Sequence, residues 1–263
     1  MSWIGIRRLV LHPVLYVGLL AGVAAALPAP AHAAPEQLPL YVGYADPPFS
    51  TSRPDSLTIR LAGALSAQSH GRYRFKATQL PRKRLLLTIG DPAWKGVVAW
   101  ANPAWFNDPA MQRYLWSAPF MNDTNLVVSH RDHPLDYNGD IRALAGLRVG
   151  TIFGQRYADL DPLFRDHSLQ RNDVASELQN LQKLQLRRLD VVLIQASSLP
   201  YFREQLPDLD QWLYVARTPR NSFQRYLFTS RRNAELVTFL NAALAELARD
   251  REWQALFDSA ARR

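Results

Sequence analysis

The chain of 263 residues has no cysteine. That absence excludes a disulfide scaffold, a thiolate zinc site, an iron–sulfur cluster and a cysteine nucleophile. Catalytic signatures are missing too: there is no G-x-S-x-G elbow, P-loop, H-E-x-x-H or G-x-G-x-x-G. No catalytic residue and no cofactor is therefore expected. His130-x-x-His133 with Asp132 and Asp136 offers metal-ligating groups, but a polar linker loop explains that stretch better, and no metal site is expected. Low-complexity composition is absent as well, with 12 Gly and 18 Pro, and 48% hydrophobic residues is too many for a disordered chain.

No apolar run reaches the roughly 20 residues of a bilayer span. The longest, Val14 to Leu27, follows Arg7 and Arg8 and ends in Pro28, Pro30 and Ala31-His32-Ala33. A basic start, a short apolar stretch and an A-x-A site read as a cleavable secretory signal over residues 1–33. No cysteine follows it, so no lipid attachment is expected. The mature chain should be soluble and exported, most simply into a bacterial periplasm. Loss of the signal lowers the formal charge from +8 to +6. The remaining basic residues are scattered, and no nucleic-acid module accompanies them, so no nucleic-acid partner is expected.

Strands and helices alternate along the rest. Leu40 to Tyr44 reads as a strand, Ser56 as the cap of a helix bearing Leu57, Leu61 and Leu65, and Tyr73 to Ala77 as a second strand. Pro81 opens a helix closed by Gly90, and Gly96 to Trp100 is a third strand. A similar unit follows. Its strands are Leu147–Ile152 and Asp190–Ile194, with a capping box, Ser176-x-x-Gln179, between them. Asn125–Ser129 and Phe223–Thr229 read as connecting strands, and Asn233–Arg249 as a long helix before a last one at Trp253. This order implies mostly parallel sheets flanked by helices.

Several stretches together carry a resemblance: LPLYVGYADPPFS, WSAPFMNDTNLVVS, IRALAGLRVGTIFGQRY, LQNLQKLQLRRLDVVLIQ and FLNAALAELARDREWQALFD. In this order they resemble the periplasmic solute-binding proteins of ABC importers, in the polar amino acid-binding subfamily (extracellular solute-binding protein family 3). The resemblance covers essentially the whole mature chain. It implies a type II periplasmic binding protein fold of two α/β lobes. Lobe 1 would be discontinuous, 36–125 and 220–263; lobe 2 would be 126–219, with two crossover strands as the hinge. It also implies a monomer that hands a small ligand to an ABC permease.

Ligands of such sheets bind beyond the C-terminal ends of strands. That rule alone selects Tyr44, Asp46 and Phe49 after the first strand, and Trp100, Asn102 and Trp105 after the third. It selects Gly154, Gln155, Arg156 and Tyr157 after LRVGTI, and Gln195 and Ser197 after DVVLI. Aromatics could wall a ligand or pack under the loop. Gly154 could turn backbone N–H groups towards an anion at a helix start. Arg156 could clamp a carboxylate or lie on the surface, and Ser197 could cap the following helix. Arg82 and Arg84, in PRKRLLLTIG, are further cations for an acidic ligand. Asp46 is the one carboxylate placed in the cleft.

The departures from the family pattern are specific. No Arg stands in the Thr-x-x-Arg context that holds a ligand carboxylate, since Arg113 lies too close to the Trp-Ser-x-Pro-Phe segment. The Gly-Thr-Thr turn is Gly154-Gln155-Arg156, and the carboxylate that meets a ligand amine is replaced by Gln195. Loss of that charge favours a neutral or anionic ligand. Three functions fit: a solute receptor for an importer, a signalling or accessory protein with the same fold, and a cleft enzyme such as a dehydratase.

Overall fold

The computed structural model describes Met1 and residues 34–261, with side chains through residue 257. The signal-peptide reading lies outside the described residues. Ten strands form: β1 (Glu36–Val42), β2 (Tyr73–Gln79), β3 (Val97–Ala101), β4 (Leu115–Trp116), β5 (Met121–His130), β6 (Arg148–Ile152), β7 (Gln170–Val174), β8 (Val191–Gln195), β9 (Leu213–Val215) and β10 (Asn221–Thr229). Eight α-helices accompany them: α1 (Leu57–Gln68), α2 (Arg82–Gly90), α3 (Asp161–Arg165), α4 (Glu177–Gln185), α5 (Leu199–Gln205), α6 (Leu209–Trp212), α7 (Ala234–Leu247) and α8 (Arg251–Ala261). None of the described helices is long and apolar enough to cross a membrane.

The strand order is β2-β1-β3-β10-β5-β8-β6-β7, with β4 beside β10 and β9 beside β5. At one end β1 runs parallel to β2 and β3, and at the other β6 runs parallel to β7 and β8. Parallel pairs need crossover connections, and α1, α2, α3 and α4 lie in them. The two ends are joined by β5 and β10, which pair antiparallel over 121–125 and 221–225. Beyond that overlap β10 continues along β3, while β5 continues along β8.

The apolar interior divides in the same way. One pair of clusters draws on residues 38–121 and 227–253, with Leu40, Leu61, Trp100, Leu240 and Phe228 among its members. The other pair draws on residues 126–216, with Leu181, Val192, Phe202 and Leu144. The helices match their sequence signals. Ser56 caps α1 by accepting from the Ile59 N–H, and Ser176 caps α4 by accepting from the Gln179 N–H. Each such cap is worth about 1 kcal/mol. The buried face of α4 is Glu177, Asn180, Leu181 and Leu184, a helical i, i+3, i+4, i+7 stripe. A carboxyl therefore occupies the first core-facing position of that helix.

Candidate functional site

Two charged residues on the crossover strands organise the centre. Arg225 stands opposite Met121 in the β10–β5 ladder, and Asp123 stands opposite Phe223. Arg225 and Asp123 are thus diagonal neighbours on one face, within reach for a long side chain. Both are fully buried. The Arg225 Nε and Nη2 groups donate to Asp123 Oδ2 at 3.0 and 2.5 Å. Nη2 also donates to Gln195 Oε1 at 2.8 Å, and Nη1 donates to the Tyr44 hydroxyl and the Trp100 carbonyl, both at 2.9 Å. All five donors of the guanidinium are used. Phe49 lies under it, ring centroid 4.2 Å from Cζ. Burial opposes the charge, yet Tyr44 and Asp123 hold the Arg225 pKa above the ordinary range. Asp123 also accepts from the Ser197 N–H and hydroxyl, at 3.2 and 2.7 Å. Ser197 therefore serves this cluster and makes no helix cap; α5 has no side-chain cap.

Above this cluster lies a cavity of about 40 Å3. Six of the expected residues line it: Tyr44, Asp46, Arg82, Trp100, Trp105 and Gln155. Glu177, Ser176 and Ser198 line it as well. The other expected residues are placed elsewhere. Phe49 is buried beneath, packed on Tyr44 and Trp100 at centroid distances of 5.1 and 4.8 Å. Arg84 is exposed, and the cavity takes Arg82 from the same basic run. Asn102 caps a short 3-10 turn by accepting from the Ala104 N–H, and donates to the Gln224 carbonyl. Arg156 is exposed, paired with Asp161 at 3.3 Å and hydrogen-bonded to Asn107. Tyr157 is buried, its hydroxyl accepting from the Ile152 N–H at 3.1 Å, and burial pushes its pKa up. Gln195 is buried and spent on Arg225.

Gly154 does not open a helix, since the next, α3, starts at Asp161. It packs instead against the first turn of α2. At φ +75° an added Cβ would stand 3.3 Å from Lys83 Cγ and 3.5 Å from Arg82 Cγ. The helix N-terminus that does face the cavity is that of α4. Its first N–H, from Glu177, donates to Asp46 Oδ2 at 2.6 Å. A carboxylate of the chain thus sits where a helix N-terminus favours an anion.

Besides the Tyr44 phenol, three ionisable groups face the cavity. Arg82 donates from Nη2 to the Trp105 carbonyl at 2.8 Å and lies 4.0 Å from the Phe106 ring centroid. Its Nε is shielded from solvent and has no hydrogen-bond partner. Burial pulls its pKa down, and no ion pair relieves it. Burial pushes the Asp46 carboxyl up to about 6, against the backbone N–H groups of Glu177 and Leu178. Burial, and then the charge of Asp46, raise the Glu177 carboxyl well above the carboxylate range; its Oε2 has no partner.

Solved structures with this architecture are numerous. An ancestral arginine-binding protein bound to arginine matches with a TM-score of 0.67 and 15% identity, over 84% of this chain and 96% of that one. The fold is that of a type II, two-lobed periplasmic binding protein. The GluR0 ligand-binding core from Nostoc punctiforme in complex with L-glutamate matches at 0.65 and 17% identity, over 85% and 98%. An L-arginine-bound amino acid ABC transporter substrate-binding protein, AbpA, from Streptococcus pneumoniae matches at 0.64 and 13%, over 86% and 97%. No protein-family model matches the chain, and no curated protein matches it by sequence. Among the described residues no group of His, Asp or Glu could hold a metal; His130 stacks on Trp212 at 6.0 Å instead.

Arg225 and Glu177 were not selected from the sequence. A lone arginine inside FQRYLFT signals a buried cation, because a charge at the centre of an apolar strand needs a partner. Glu177 follows a capping serine, where acidic residues are ordinary; its position on the apolar stripe of α4 was the available signal.

Proposed function

We propose that the chain is a periplasmic solute-binding protein, exported by its signal segment, that captures a small polar ligand in the cleft between its lobes. Lobe 1 comprises 36–125 and 220–263 and lobe 2 comprises 126–219, with β5 and β10 as the hinge. The division of the apolar clusters supports these limits. The ligand is amino-acid-like or carboxylate-bearing, the protein acts as a monomer without catalysis, and an ABC permease receives the ligand. The observation that carries the reading is Arg82: a cation lining the cavity, with an unused donor and no acidic partner. A ligand carboxylate would satisfy that donor, and a charge-assisted bond of this kind is roughly twice as strong as a neutral one. Asp46, in the loop after β1, accepts from the first N–H of α4 across the cavity, so ligand exchange needs the hinge to open.

A thermal-shift screen of amino acids, organic acids and short peptides tests the reading. A ligand at 100 times its Kd stabilises by about 2.7 kcal/mol. For a chain of this length that raises Tm by roughly 5–11 °C, and Arg82→Met should remove the response. A well-folded sample that responds to none of these compounds would overturn the receptor reading. It would favour the second one, a signalling or accessory protein of the same fold. One observation already leans that way: the residue at the family's amine-binding position, Gln195, is committed to Arg225. Adjacent permease and ATPase genes would argue for import.

A further inference from the structure

Two carboxyls share the cavity, and they come from opposite sides of it. Asp46 belongs to the loop after β1, and Glu177 to the first turn of α4. No cation answers them. Arg82, the cavity's other charged group, bonds the Trp105 carbonyl and pairs with neither acid. From beneath, Asp123 on β5 adds negative charge towards Glu177 and Arg225 on β10 adds positive charge, but Arg225 is fully spent on Asp123, Gln195, Tyr44 and Trp100. The backbone of Gln195 and the α4 N–H groups supply only dipoles.

Resting on the proposed opening and closing of the cleft, we infer that the Asp46–Glu177 pair makes closure take up positive charge, as a proton or as a cationic group on the ligand. With the lobes apart, water solvates both carboxylates and both ionise at neutral pH. Closing removes the water and brings them into one cavity, where two adjacent negative charges repel strongly and each loses its hydration. The empty cleft therefore resists closing at neutral pH. A ligand ammonium placed beside the pair removes the resistance, and so does acid.

The sign follows from the closed geometry. Both carboxyls bind protons more tightly when the cleft is closed, so the closed population rises as the pH falls. Glu177 contributes in the same direction. Asp46 acts as the pH falls through about 6 towards the ordinary value of 3.8. That last shift alone corresponds to a change of up to about 100-fold in the closed-to-open ratio.

The cysteine-free chain permits a direct test without any ligand. Lys76→Cys and Leu186→Cys place one dye on each lobe, and energy transfer is read from pH 8 to pH 4.5, with circular dichroism confirming the fold at each point. With native Asp46 and Glu177, transfer should move towards the closed value as pH falls. Asp46→Asn and Glu177→Gln should each reduce the pH-dependent change, and the double variant should stay closed throughout. A flat profile with both carboxyls present overturns the inference. So does a pH-dependent profile that either single variant leaves unchanged. Because no ligand enters, failure here is distinct from failure of the ligand screen.

Discussion

Replacing Arg225 with Met removes a cation whose five N–H donors all have acceptors. Methionine fills much of the same space, so the loss is electrostatic rather than a cavity. Asp123 keeps the Ser197 hydroxyl and two backbone N–H groups, from Thr124 and Ser197, but loses its counter-ion with no solvent contact. The Gln195 carbonyl and Trp100 carbonyl lose donors as well. Breaking one side of a buried pair costs about 3–5 kcal/mol, most of it the penalty on the partner left behind. For a chain of this size, with Tm moving by roughly 2–4 °C per kcal/mol, the fall should be about 6–20 °C. Urea unfolding and calorimetry would read it. The partner-penalty argument makes a sharper statement about the double variant Arg225→Met with Asp123→Leu. With both charges gone it should recover a large part of the loss, giving a coupling well above 1 kcal/mol in the cycle. A double variant as unstable as the sum of the singles would refute the reasoning. So would an Arg225→Met protein within 1 kcal/mol of the parent.

Other perturbations follow from single contacts. Gly96→Ala would place a Cβ 2.5 Å from the Pro39 carbonyl oxygen at φ +111°, so β3 must shift away from β1, and Tm should fall by several degrees. Arg82→Met should abolish ligand-induced stabilisation while leaving the ligand-free Tm the same or higher, since it removes a shielded donor without a partner. Asp46 contributes to the pH dependence of folding itself. Its folded pKa is raised, so stability is greatest below the ordinary 3.8 and is lost as pH rises through about 6. Asp46→Asn should flatten that part of a Tm–pH curve, by at most about 3 kcal/mol and by less for the share of the carboxyl that water reaches. A variant curve parallel to the parent's would count against the burial of Asp46.

The elements with strong periodicity were legible in the sequence, and their limits moved by only a few residues. The helix capped by Ser56 and the one capped by Ser176 start where the caps place them. The crossover strands were recognised as NLVVS and the run to Thr229, but β5 begins earlier, at Met121. Its first half, Met-Asn-Asp-Thr, holds polar groups that pair with β10 and with the Arg225 cluster, so it has no apolar signature. Strand β7, Gln-Arg-Asn-Asp-Val, was not expected at all. It is an edge strand whose residues are half-buried or exposed, and its register comes from β6, not from its own pattern. The site was half legible for the same reason. Strand ends point to Tyr44, Asp46, Trp100, Trp105 and Gln155, because topology alone fixes where those lie. Which arginine of PRKR turns inward depends on the phase of α2 and on the packing of Gly154 against it, and no local pattern states that phase.

Gly154 has a use beyond its fit. Its hydrogen is what allows that turn to rest on the first turn of α2, beside Arg82 and Lys83. Any larger side chain there is a wedge driven between two surfaces that must meet. Position 154 is therefore a doorstop: its bulk sets how near that turn can come to α2, and because Arg82 is one of the side chains it rests on, the setting is passed on to the cavity.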